Sequence, residues 1–128
     1  MQKKYVELIK RATDVKQNSY SPYSKIKIGS ALLTNEGNIY VGTNVENASY
    51  GLSICAERSA ISNAISAGEK SFKAIAIVSD FDKVITPCGA CRQVLIEFNP
   101  EMDIIVSNGK ECKIFKANEL LKDYFILK

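Results

Sequence analysis

The amino-acid sequence predicts a three-layer α/β/α domain built on a five-stranded mixed sheet. Predicted helices and strands alternate along the chain in the order αββαβαββα, which is the pattern of a sheet covered by helices. The run FKAIAIVS, residues 72–79, is dense in apolar residues, as is typical of a strand buried on both faces. The chain has 128 residues, which suits one domain better than two, so we expect a single domain over residues 1–128.

The first half of the chain is predicted to hold two helices and a hairpin. Residues 3–18 carry apolar side chains at helical spacing, which predicts an amphipathic helix. Two strands are predicted, over residues 26–34 and 38–46, because turn residues at 35–37 separate two β-type runs. A second helix is expected over about 56–67.

The second half is predicted to alternate between helix and strand. A helix is expected to open at Pro87 and to end before Asn99, because the apolar residues from Cys91 to Phe98 recur at helical spacing. Two strands, over 103–107 and 112–115, flank the turn dipeptide Asn108-Gly109, and a short helix is predicted near 118–122.

Composition and charge exclude several classes of function. The net charge is only +3 and the basic residues are scattered, which argues against a nucleic-acid partner or a membrane surface. No apolar run approaches the ~20 residues of a membrane span, and the N-terminus lacks a signal-peptide core. We therefore expect a cytoplasmic protein with reduced cysteines. The chain has no histidine, which excludes Ser-His-Asp and Cys-His catalysis and a histidine-bound metal.

The cysteines indicate a metal site. Cys88 and Cys91 open a predicted helix as PCGAC, which alone fits a redox pair, half of a zinc site or two unremarkable cysteines. A preceding proline and the absence of tryptophan count against a redox pair. Cys55 also opens a predicted helix, and helix N-termini favour thiolates, so we expect one Zn²⁺ held by Cys55, Cys88 and Cys91. We expect Cys112 to be a buried strand residue outside the site; as a fourth ligand it would make the site closed and structural.

Two charged residues follow Cys55 directly. Glu57 could be an ordinary first-turn acid, but beside a three-thiolate zinc site, in a chain without histidine, we expect it to carry protons. Zn²⁺ with three thiolates has an excess negative charge. We therefore expect Arg58 to donate hydrogen bonds to thiolate sulfur and to withdraw some of that charge; a solvated helix residue is the alternative.

The residues CAER and PCGACRQ resemble the cytidine deaminase family, and the resemblance extends over nearly the whole chain. The first zinc ligand is a cysteine, and in this the chain is similar to the small homotetrameric branch of the family, which acts on free nucleosides. The resemblance implies zinc-dependent hydrolytic deamination of cytidine and 2′-deoxycytidine to uridine products and ammonia, in pyrimidine salvage. It also implies a homotetramer with shared active sites.

The resemblance implies several substrate-binding residues. Asn44 and Glu46 lie at i and i+2 of a predicted strand and point the same way, and by resemblance they bind the ribose 3′-OH. Ala56, between a zinc ligand and Glu57, is implied to contact the substrate. The family typically has an aromatic residue where this chain has Ile26, which buries apolar area against the base but offers no ring face.

Two aromatic residues match positions that family members contribute across subunit interfaces. These are Tyr50, in the loop before the second helix, and Phe125, in the C-terminal tail.

Three other functions are compatible with parts of the pattern. A blasticidin S deaminase resembles the chain around the zinc ligands but lacks the acid at the Glu46 position. A noncatalytic module could use zinc only to staple two helices together. An RNA- or DNA-editing deaminase is disfavoured by the modest charge and by the cysteine as first ligand.

Overall fold

The computed structural model describes residues 1–128 and confirms the three-layer α/β/α class. Its elements follow the predicted order, with one additional 3₁₀ turn over Tyr50–Leu52. The helices and strands are α1 Lys3–Lys16, β1 Ile28–Thr34, β2 Ile39–Thr43, α2 Ala56–Ser66, β3 Phe72–Ser79, α3 Gly89–Phe98, β4 Asp103–Ser107, β5 Cys112–Lys116 and α4 Ala117–Leu120. None of these helices is long and apolar enough to cross a membrane.

The sheet is mixed and has the strand order β2-β1-β3-β4-β5. Only β3 and β4 are parallel, and α3 connects them. Two apolar clusters cover the two faces. One packs α1 against the sheet through Tyr5, Leu8 and Ala12, and the other packs α2 and α3 through residues such as Ala60 and Leu95. Burial on both sides explains why β3 is a nearly continuous apolar run.

The start of β1 and the ends of β2 and β3 lie together at one end of the sheet. The first residue of β1, Ile28, pairs with the last residue of β3, Ser79, and β2 ends alongside them at Thr43. The segment after β3 leads into α3, and the loop after β2 leads into α2. Both helices therefore begin near this end of the sheet.

Several predicted boundaries were wrong by two or three residues. Strand β1 begins at Ile28 rather than residue 26, because the Ile26 carbonyl and the Lys27 amide bond to the side chains of Asn44 and Asp80 instead of to a neighbouring strand. Strand β2 ends at Thr43 rather than residue 46, and α1 ends at Lys16. The short last helix covers Ala117–Leu120.

The prediction that Cys112 is a buried core residue was also wrong. Cys112 is exposed, and so is Ile114. Ile114 pairs with Ile105, which belongs to the cluster under α1, so Cys112 lies on that same face of the sheet. Helix α1 packs on β1 and β3 and does not cover β5, the edge strand. Alternation along a strand predicts which residues share a face, but not whether a helix covers that face.

Candidate active site

Three cysteine thiols converge where α2 and α3 begin. Cys55 is the N-cap residue of α2, Cys88 is the N-cap residue of α3, and Cys91 lies in the first turn of α3. Their Sγ atoms all lie within 4.8 Å of one another, and the Sγ atoms of Cys55 and Cys88 are 3.9 Å apart. Zn–S bonds of 2.3 Å in a tetrahedron place two sulfurs about 3.8 Å apart. The three thiols therefore fit one zinc ion, as predicted, and Cys112 is not among them.

Both helices present free backbone donors to this point. Neither Cys55 nor Cys88 makes a side-chain hydrogen bond to cap its helix. The first-turn N–H groups and the positive ends of both helices thus remain available to negative charge, which stabilises thiolates. Cys91 is buried, Cys55 is half-buried and Cys88 is exposed.

Helix α2 is held close to the sheet by polar contacts and by a glycine. The Ser30 hydroxyl donates to the Ala56 carbonyl at 2.7 Å, and the Ser59 hydroxyl donates to the Thr43 carbonyl at 2.9 Å. A Cβ atom at Gly42 would lie only 2.4 Å from the backbone nitrogen of Ala60. Glycine therefore permits the close approach that places Cys55 and Glu57 at the end of the sheet.

The cluster favours ionisation of Cys55. The Cys91 thiol, followed by hydrogen bonds from Arg58 and Cys88, lowers the pKa of Cys55 to about 5. The pKa of Cys91 is raised, because its thiol donates to Cys55 and because it is buried. Arg58 Nη2 lies 3.8 Å from Cys55 Sγ, and Arg58 Nε is buried without a hydrogen-bond partner. The guanidinium is thus placed at a thiolate rather than in solvent.

Glu57 lies beside the thiols and is nearly removed from water. Its side chain is 5% exposed, and burial raises the pKa of its carboxyl to about 7. It lines a cavity of about 310 Å³, which Cys55 and Cys88 also line. A carboxyl group that can gain or lose a proton near neutral pH therefore opens onto the same cavity as two of the metal ligands.

Asn44 and Glu46 line the same cavity. Glu46 accepts hydrogen bonds from the Tyr23 and Ser24 amides at 2.9 and 3.1 Å and from the Ser24 hydroxyl at 2.5 Å. The Ser24 hydroxyl is the main cause of its lowered pKa. Glu46 is thus an ionised acceptor at neutral pH.

Asn44 is buried and holds the start of β1 together with the residues just before it. Its Oδ1 accepts from the Ile28 amide at 3.0 Å and from the Ser19 hydroxyl, and its Nδ2 donates to the Ile26 carbonyl at 2.9 Å. Both isoleucines line the cavity. Since Oδ1 already has two donors, the group that Asn44 can still offer to a ligand is its second N–H.

The remaining predicted residues are placed differently. Ile26 lines the cavity, whereas Ala56 is fully buried and is not part of the lining. Tyr50 and Phe125 are 79% and 68% exposed and lie outside this cavity. Tyr50 borders an adjoining cavity of about 320 Å³, which shares Glu46 with the first.

Sequence reasoning missed part of the lining. The apolar wall includes Ile54, Ile85 and Pro87, and the polar lining includes Ser53 and Thr86. Their position in the sequence could have identified them, because each of these residues lies one to three positions before a zinc-ligating cysteine. No lysine or arginine lines the cavity.

Comparison with known proteins places the chain among deaminases. A family model described as the cytidine and deoxycytidylate deaminase zinc-binding region matches residues 2–107, which include Cys55, Glu57, Cys88 and Cys91. A probable cytidine deaminase of Dictyostelium discoideum is 53% identical over 124 residues, covering 93% of this chain and 84% of that protein. A cytidine deaminase of Sporosarcina psychrophila is 46% identical over 105 residues, covering 81% and 77%. The crystal structure of cytidine deaminase from Burkholderia pseudomallei has a TM-score of 0.91 at 43% identity, covering 98% of this chain and 100% of that one.

Proposed function

The chain belongs to the cytidine and deoxycytidylate deaminase family, and from that premise we propose that it hydrolyses cytidine to uridine and ammonia. The observation that carries the proposal is that the three thiols cluster at one point, and that two of them, Cys55 and Cys88, line the same cavity as Glu57. Cys55, Cys88 and Cys91 would hold one zinc ion per chain. The chemistry that zinc supplies when bound is acidification of a water molecule, so that a nucleophile is available near neutral pH.

Glu57 is proposed to move the protons of the reaction. Attack of water at C4 of the base releases a proton, which Glu57 accepts and delivers to N3. A second proton passes through Glu57 to the departing amine, so that ammonia leaves and the C4 oxygen remains on the product. The support for this role is the position of Glu57, two residues after Cys55 and 5% exposed on the cavity wall.

Arg58 is proposed to modulate the metal ligands. Its guanidinium donates to Cys55 Sγ across 3.8 Å and would reduce the excess negative charge of three thiolates on Zn²⁺. A zinc ion bound here would then be a stronger Lewis acid than one held by three thiolates without Arg58.

The rest of the cavity supports a neutral nucleoside as substrate. Glu46 would accept, and Asn44 would donate, a hydrogen bond to the ribose 3′-OH, which 2′-deoxycytidine also has. Ile26 would pack on the base. A substrate contact by Ala56 is supported by the resemblance alone, since Ala56 is buried outside the lining and its carbonyl accepts from Ser30. A cavity that is lined by the Glu46 carboxylate and by no lysine or arginine disfavours a 5′-phosphate.

We further propose a cytoplasmic homotetramer with shared active sites that serves pyrimidine salvage. Support for assembly is the exposure of Tyr50 and Phe125, which a partner subunit would cover. Support for the compartment is that the three ligands must stay reduced to bind zinc. Light scattering should give four times the 14.1 kDa chain mass.

An ultraviolet assay of substrate loss tests the function. We expect cytidine and 2′-deoxycytidine to be converted, cytidine 5′-monophosphate to be a poor substrate, and a zinc chelator to stop turnover. Zinc-replete protein that is inactive on every cytosine nucleoside would instead favour a noncatalytic zinc module. Conversion of blasticidin S but not of cytidine would favour the other deaminase.

Glu46→Ala tests the proposed sugar contact. Loss of a hydrogen bond to a charged acceptor costs about 1.5–3 kcal/mol, so kcat/KM for cytidine should fall roughly 10- to 150-fold. The matched substrate 3′-deoxycytidine lacks the hydroxyl, so we expect the substitution to change its kcat/KM much less. Equal losses on both substrates would show that Glu46 only holds the Tyr23–Ser24 turn.

A further inference from the structure

The cavity wall next to Cys88 consists of irregular backbone. Ile85, Thr86 and Pro87 line the cavity within a segment, residues 80–88, that joins β3 to α3 without a helix or strand. Backbone of this kind has no ladder of hydrogen bonds to fix it. The position of the wall therefore depends on the contacts that other residues supply.

One side chain supplies the hydrogen bonds of this wall. Arg92 Nε donates to the Pro87 carbonyl at 2.6 Å, and its Nη2 donates to the Thr86 hydroxyl at 2.9 Å. No other hydrogen bond reaches residues 83–87. The third nitrogen, Nη1, donates at 2.6 Å to the carbonyl of Leu120, the last residue of α4. A single planar group thus ties the wall to α4.

The shape of arginine, rather than its charge alone, fits this position. All three acceptors are neutral oxygens, and Arg92 forms no ion pair with a carboxylate. The rigid guanidinium reaches three directions in one plane, whereas lysine has one nitrogen on a flexible stem. A lysine at this position would keep the charge and lose the geometry.

We propose that Arg92 is a positioning residue for the active site. It fixes the Thr86–Pro87 wall, and through it the adjacent metal ligand Cys88, against the end of α4. Arg92 itself is not part of the cavity lining. Cys88 is the exposed ligand and Cys91 is buried within α3, so Cys88 is the ligand that a loosened wall would release first.

The test compares Arg92→Lys with Gln93→Ala as the matched control. Gln93 is the next residue and donates to the Phe125 carbonyl at 3.2 Å, so it holds the tail and not the wall. Zinc affinity is measured by competition with a chromophoric chelator. Loss of a residue that orients a metal ligand lowers metal affinity by about 10- to 100-fold, so we expect a loss of up to that size for Arg92→Lys, and we expect Gln93→Ala to stay within about twofold of the parent.

A second variant covers the possibility that Arg92→Lys does not fold. Thr86→Val removes one of the wall's hydrogen bonds and keeps the side-chain shape, and we expect a smaller loss of zinc affinity, about threefold or more. The double variant should bind zinc about as weakly as Arg92→Lys alone, because both changes act on one contact.

The outcomes separate positioning from a merely structural role. If Arg92→Lys lowers the melting temperature but leaves zinc affinity unchanged, the proposal is wrong. If only Thr86→Val can be made and its zinc affinity is unchanged, the proposal is equally wrong. A parallel fall of kcat on cytidine is expected, and that part rests on the proposed function. If the variants differ in zinc affinity as expected but the parent does not convert cytidine, the proposed function is wrong and the positioning role of Arg92 stands.

Discussion

Gly42→Ala should lower both stability and activity, because the added methyl group would push helix α2 and its active-site residues away from the sheet. Gly42 lies in β2, directly under the first turns of α2, which begins one residue after Cys55. An added Cβ atom would lie 2.4 Å from the backbone nitrogen of Ala60, 2.7 Å from Ser59 Cβ and 2.8 Å from the Ala56 carbonyl oxygen. Two of these three atoms are backbone, so no flexible side chain can move aside to relieve the contact.

The size of the effect follows from these distances. Ordinary van der Waals contact begins near 3.4 Å, so the helix backbone must recede by about 1 Å from its 2.4 Å approach. Overpacking of this kind lowers the free energy of unfolding by about 1–3 kcal/mol. A displacement of about 1 Å in the residues that carry a catalytic group can reduce turnover by about 100-fold. We expect both effects, because Cys55 and Glu57 move with α2.

The assay is urea unfolding at fixed protein and zinc concentration, together with kcat on cytidine. Gly51→Ala is the matched control, because a Cβ atom there would have nothing within 4 Å. If Gly42→Ala matches Gly51→Ala in stability and in kcat, then the close contact between β2 and α2 does not position the site, and this reasoning fails.

Two further predictions concern the metal and the fold. Cys112→Ser should retain one zinc per chain, whereas Cys91→Ser should lose it, as measured by atomic absorption after desalting; zinc loss in Cys112→Ser would contradict the three-thiol site. Although burial opposes it, hydrogen bonds from Lys116 and Tyr5 lower the pKa of Asp103. Asp103→Asn should therefore cost about 1 kcal/mol of unfolding free energy at pH 7. The cost should begin to shrink as the pH falls past about 4, where the unfolded carboxyl becomes protonated, and should disappear as the pH falls through the lower folded-state pKa. An equal cost at pH 7 and pH 3 in urea unfolding would refute this linkage.

The sequence predicted the metal ligands because each depends on local chemistry. Cys55 and Cys88 each precede a helix, and Cys91 follows Cys88 at a spacing that one helical turn brings together. Asn44 and Glu46 line one cavity although neither belongs to a strand, as they were expected to. Strand β2 ends at Thr43, but isolated bridges on both sides of Val45 keep the chain extended, so the two side chains still reach one cavity.

Features set by distant parts of the chain were not predictable in the same way. The exposure of Cys112 depends on how far α1 extends across the other strands of the sheet. The contact of Arg92 with Leu120 joins residues 28 positions apart. No local sequence pattern predicts either arrangement, since both depend on how whole helices and strands pack together.

The central claim is that Glu57 carries protons for a zinc-dependent hydrolysis of cytidine. The most direct measurement compares the parent with Glu57→Gln, each with its zinc content determined, for loss of cytidine and release of ammonia. We predict one zinc per chain in both proteins, with one ammonia released per cytidine consumed by the parent. We predict a kcat about 100- to 10,000-fold lower in the variant. A zinc-loaded Glu57→Gln protein that turns over cytidine at nearly the parent rate would contradict the account.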